Sequence, residues 1–114
     1  TSAKLRLSVT GTTSANGRSL VGEWYPSSSW PIDGGDYVLD GGTSALAGSP
    51  ISSLVVGTNE LSLQGLSSLS LTGMTGIRLS VSGGEPSGEN IVFFAALEHA
   101  SLPEPQLVVT YTIP

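Results

Sequence analysis

The sequence predicts an all-β fold, an antiparallel β-sandwich of about eight strands. Three observations point there. Short segments alternate apolar and polar residues at period two, bounded by Gly, Pro, Asn and Ser. Charged residues make up only 11% of the chain, with Gly, Ser and Thr in their place, a composition that suits tight turns and not long helices. The longest run of large apolar residues, Asn90–Leu97, is too short for a typical helix and rich in β-branched and aromatic side chains. With 39% hydrophobic residues over 114 positions, the chain is expected to be ordered and to form one domain, 1–114, with a real core.

The elements follow in order. Ala3–Thr10 alternates, with Leu5, Leu7 and Val9 inward and Lys4, Arg6, Ser8 and Thr10 outward. Gly11–Gly17 reads as a turn ending in Asn16-Gly17, a dipeptide that favours hairpins because both residues tolerate positive φ. Arg18–Tyr25 is the next strand; Leu20 and Trp24 share one face and Val21, Glu23 and Tyr25 the other. Pro26–Gly42 is irregular, because Trp30-Pro31 does not continue a central strand, though Tyr37–Leu39 suits a short one. Gly41 to Gly48 reads as a loop, or one helical turn at Ser44–Ala47. Ile51–Val56 and Asn59–Leu63 read as two strands joined at Gly57-Thr58. Leu66, Leu69 and Leu71 suit either a short helical turn or an extended segment placing leucines under a sheet. Gly76–Ser82 alternates with Ile77, Leu79 and Val81 inward, and a turn-rich loop, Gly83–Glu89, follows. Asn90–Leu97 is apolar on both faces and is expected to be the central, covered strand of the sandwich. Glu98–Pro105 is a loop, and Gln106–Ile113 the last strand.

Four Lys plus Arg against nine Asp plus Glu argue against nucleic acid and against an anionic membrane surface as partners. No apolar run is long enough to cross a bilayer, and no signal-peptide pattern is present. The absence of cysteine excludes disulfides and thiolate metal sites. The low charge and the Ser/Thr content are common in extracellular fibres and surface modules, and a chain beginning at Thr1 without Met is expected of a processed or excised piece.

Four aromatic residues, Trp24, Tyr25, Trp30 and Tyr37, gather in one irregular segment. They are the candidate contact surface, as a stacking platform for sugar; the plainer reading packs the tryptophans beneath the long loop. Asp33, Asp36 and Asp40 lie on a Gly-rich stretch and are candidate Ca²⁺ ligands, the oxygen donors a hard cation needs, although their spacing is not that of an EF-hand. The plainer reading makes them turn carboxylates bonded to their own backbone. Glu98-His99 is a weak acid/base candidate, since neighbours on a strand face opposite ways; Glu98 is expected to pair with a strand arginine such as Arg78 or Arg6. Arg6 and Arg78 themselves suit a cross-strand ladder with Glu23 or Glu98. Glu85 and Glu89 read as solvated turn residues. One His and no Cys leave few routes to a hydrolytic triad or a zinc site.

The two ends carry a resemblance. Thr1-Ser2-Ala3-Lys4-Leu5-Arg6-Leu7 resembles the "sAkLrL" strand of the DNRLRE domain family. Gly76-Ile77-Arg78-Leu79, the strand Asn90–Phe94, Ala96-Leu97-Glu98-His99 and Pro105-Gln106-Leu107-Val108-Val109-Thr110-Tyr111 resemble its closing block, a "glrL" strand, a strand ending in Ser-Ser-Glu, then "rPkLvvtY". The family comprises bacterial, archaeal and phage surface modules with a jelly-roll-like sandwich, related to some carbohydrate-binding modules and without a common catalytic function. It usually has further strands before the first of these segments, where this chain starts, so the resemblance implies an open sheet edge. The segment from Trp24-Tyr25 to Tyr37 is a richer aromatic and acidic insertion than the family implies.

The expected function is therefore a non-catalytic structural or adhesion module of an extracellular, cell-surface or virion assembly, such as a phage fibre, tail or capsid decoration. Its expected partners are protein subunits of that assembly, through a homo-oligomer or edge-strand pairing. No enzyme, no membrane insertion and no cofactor other than Ca²⁺ is expected. The alternative is a carbohydrate-binding module that uses the aromatic platform on a surface glycan.

Overall fold

The computed structural model describes residues 1–25, 31, 33 and 42–113. Among the described residues, seven strands make up two antiparallel sheets: β1 (Ser2–Ser14), β2 (Ser19–Tyr25), β3 (Ser44–Pro50), β4 (Gly57–Ser62), β5 (Gly76–Val81), β6 (Asn90–Phe94) and β7 (Gln106–Thr110). The first sheet holds β4, β1, β6 and β7, and the second runs β3-β2-β5. The all-β, sandwich-like architecture is the one the alternation predicts. The expected strand at Tyr37–Leu39 lies outside the described residues.

The organising strand is β1, not the Asn90–Leu97 run. β1 pairs with β4 through Lys4–Val9, with β7 through Ser2–Arg6 and with β6 through Val9–Ser14. Val9 opposes both Gly57 and Phe94, so β6 lies on the edge of β1 away from β4. Lys4–Arg6 likewise oppose both β4 and β7, so β7 lies on that same far edge. β6 and β7 therefore lie end to end in one lane, interrupted by the excursion Ala95–Pro105. Ala95 N–H still donates to the Ser8 carbonyl, 2.9 Å away, where the chain leaves the lane.

Two features let β1 serve both halves of that lane. Leu5, Leu7 and Val9 alternate onto the inner face and are buried. A bulge between Val9 and Gly11 then shifts the register by one residue, so that Gly11 opposes Phe93. The expected turn at Gly11 is thus a kink within a longer strand; Thr12 and Thr13, both β-branched, carry it on. The Asn16-Gly17 turn does form, with Gly17 at φ +63°. It leads the chain from one sheet to the other, since β1 and β2 do not pair.

Three further segments differ from the sequence reading. Ser44–Pro50 is a strand, drawn into extension by its ladder to β2, where Ala45 and Leu46 are buried. Ile51–Val56 is not a strand: Ile51–Ser53 forms a 3₁₀ turn that buries Ile51. The pair Gly57-Thr58 begins β4 instead of joining a hairpin. Asn59 fixes this corner. Its buried side chain accepts from Val55 N–H at 3.0 Å and donates to the carbonyls of Val55 at 2.7 Å and Gly57 at 3.0 Å. Leu66–Ser68 takes the helical-turn alternative, as 3₁₀.

The core lies between the sheets. It joins Ala3, Leu5, Leu7 and Val9 of β1 and Leu61 of β4 to Leu20, Trp24, Ala45 and Leu46 of the second sheet, with Leu54 and Leu63 beside them. Gly22 sits at the centre of the second sheet's inner face, where the side chains of Leu46, Leu79 and Ile77 close over it.

Candidate functional site

The aromatic candidates do not form a platform with Trp24 in it. Trp24 lies on the inner face of β2, is 5% exposed, and donates its Nε1–H to the Gln64 carbonyl at 2.8 Å. With both faces in the core and its polar edge engaged, it has no surface to offer a sugar. Tyr25, next along the strand, is half-buried on the outer face. Trp30 and Tyr37 lie outside the described residues. Of the proposed calcium ligands, Asp33 is exposed and takes part in an interaction of its own; Asp36 and Asp40 lie outside the described residues. Among the described residues, no three His, Cys, Asp or Glu side chains converge as a metal site would require.

The charged residues of the sheets pair across strands. On the outer face of the first sheet, Glu60 of β4 receives the Arg6 guanidinium at 2.7 Å and the Lys4 ammonium at 2.9 Å. Arg6 reaches on to the Gln106 side chain of β7 at 3.4 Å, so one guanidinium spans three strands. The hydrogen bond from Arg6, followed by that from Lys4, holds the Glu60 carboxyl below its ordinary pKa. On the second sheet Arg78 pairs with Glu23. The expectation that Glu98 pairs with Arg6 or Arg78 is corrected: those arginines take Glu60 and Glu23, the carboxylates directly opposite them in the ladders. Glu98 is exposed in a turn of the excursion. His99 beside it accepts backbone N–H bonds at Nδ1 from Ser101 at 3.3 Å and Leu102 at 3.1 Å, a contact local to the turn. Glu85 and Glu89 are exposed.

The surface that stands out is the β6–β7 lane, of which the sequence reading placed the Asn90–Leu97 part at the centre. Its residues share faces with their partners on β1. Val92, Phe94, Leu107 and Val109 face inward with Thr12, Val9, Leu5 and Ala3, and Ile91 and Phe93 face outward with Thr13 and Gly11. Phe93 lies over Gly11 and remains 56% exposed. Seven of the eleven large apolar side chains exposed among the described residues belong to this region: Phe93, Phe94, Leu97, Leu102, Leu107, Tyr111 and Ile113. Among the described residues, no strand pairs the outer edge of β6 or β7.

The lane also lacks the usual edge protection. Neither Asn90–Phe94 nor Gln106–Thr110 contains a charged residue or proline, the devices that ordinarily keep an edge from pairing. The other three edge strands differ. β4 carries Glu60, β5 carries Arg78, and β3 has register shifts and ends in Pro50. An uncharged, regular edge with apolar side chains on both faces offers main-chain N–H and C=O groups to an added strand, and pockets for its side chains. The signal was present in the sequence as two uncharged β-prone segments; their place at an edge was not. Comparison with family models, with curated proteins and with solved structures found no match to this chain.

Proposed function

We propose that this protein is a non-catalytic structural or adhesion module of an extracellular, cell-surface or virion assembly, docked into it by strand addition at the β6–β7 edge. The observation that carries the reading is the exposed, uncharged lane, whose outer edge no strand pairs among the described residues, with Phe93 more than half exposed. A partner strand there gains main-chain hydrogen bonds and covers apolar surface in one step. The resemblance of the chain's two ends to DNRLRE surface modules supports the same reading, as does a Ser/Thr-rich, low-charge composition. The test is immunogold electron microscopy of the producing cells and their culture fluid. Gold is expected on regular filaments or particles outside the cells. Label confined to the cell interior overturns the proposal.

A further inference from the structure

The charges around the lane say what kind of strand it accepts; this rests on the edge-docking reading above. All four basic residues are committed: Lys4 and Arg6 to Glu60, Arg78 to Glu23, and Arg18 to the carbonyls of Ser82 and Gly84. Four of the nine acidic residues, Glu85, Glu89, Glu98 and Glu104, are exposed and have no basic partner among the described residues. All four fall on the segments that border β6 and β7. Glu89 immediately precedes β6, and its carbonyl continues the ladder by accepting from Ala15 N–H at 2.9 Å. Glu98 follows β6 by four residues, and Glu104 precedes β7 by two. Along the chain, β6 is thus an uncharged edge strand flanked on both sides by an exposed carboxylate.

We infer that the occupant of the β6 edge is an extended apolar segment of a different protein, carrying Lys or Arg at both flanks. A second copy of this chain is a poor occupant. It brings the same free carboxylates against themselves, carries a net charge of -5, and has no uncommitted lysine or arginine to answer them. Like charges at an interface oppose docking, and complementary ones steer it and set register.

The probes are two end-capped peptides, Arg-Lys-Val-Thr-Val-Thr-Val-Lys-Arg and its charge-inverted counterpart with Glu at the four flanking positions. Each is titrated into the full chain by calorimetry at low and high salt, with hydrogen exchange as the second readout. The basic peptide is expected to bind about tenfold more tightly than the acidic one at low salt, to lose that advantage at high salt, and to protect the amides of β6. The double variant Glu89→Lys with Glu98→Lys, both exposed and remote from the core, is expected to reverse the preference. Equal binding of the two peptides, or binding of neither, overturns the inference. So does a dimer in light scattering that Phe93→Lys dissolves, because the occupant is then a second copy. None of these outcomes touches the electron-microscopy test, so the docking reading and the nature of the partner fail separately.

Discussion

Replacing Trp24 by Phe removes one hydrogen bond and part of one ring, and both losses are buried. The Gln64 carbonyl loses its indole donor, and the core loses volume between β2 and the Gly65 corner, where a Cβ on Gly65 would already lie 3.0 Å from Trp24 Nε1. The expected destabilisation is about 1–3 kcal/mol for the Phe variant and ~3–5 kcal/mol for Ala, read from urea denaturation midpoints. A Trp24→Ala protein as stable as the wild type would mean that the indole is not a core residue. Among the sequence candidates this residue was legible as one of two things, a platform or a packed aromatic. Its alternation with Leu20 already set it on the same face as a core leucine. The indole N–H partner came from a segment forty positions away, which no local pattern contains.

At the scale of elements, the two most informative strands exchange roles. The Asn90–Leu97 run reads as central because both its faces are apolar. In the structure it is a five-residue edge strand with Phe93 largely exposed. β1, whose outer face is polar, is flanked on both sides and carries the buried Leu5, Leu7 and Val9. Burial by a sheet neighbour and burial by a facing sheet are different things, and apolar content on two faces reports only the second. A paired comparison tests this ranking. Leu7→Ala is expected to destabilise by about 2–5 kcal/mol, since Leu7 is fully buried. Phe93→Ser should change stability by about 1 kcal/mol or less, since most of that ring is already in water. Equal losses in thermal or chemical denaturation would restore β6 as the core strand. β3 was missed for a related reason. Ser44-Ala45-Leu46-Ala47-Gly48 has weak strand propensity, and only the ladder to β2 draws it into extension.

For the molecule as a whole, one contribution to the pH response follows from the Glu60 cluster. Its folded pKa lies below the ordinary 4.5, because Arg6 and Lys4 hydrogen-bond the charged form. Below about pH 4.5 the unfolded chain takes up this proton more readily than the folded one, so stability falls as the pH drops through the folded value. Above 4.5 the contribution is complete. Denaturation midpoints measured across the acid limb should therefore fall more steeply for the wild type than for Glu60→Gln. Identical slopes would mean that the Lys4–Glu60–Arg6 contacts do not persist in solution.

By itself the sequence determined the fold class, most of the strands, and which side chains of β1 and β5 turn inward; for β2 it set Leu20 and Trp24 on one face without saying which face is inner. These follow from period-two alternation and turn chemistry, which are local. It also determined the charge imbalance that leaves carboxylates in excess. Tertiary structure decided which strand is central, which arginine meets which carboxylate, and where the open edge lies. Each of these depends on pairing between segments far apart in the chain. The candidate docking edge exists because the chain leaves the edge of β1 at Ala95 and returns to it at Gln106, placing two uncharged strands end to end with no strand beyond them among the described residues.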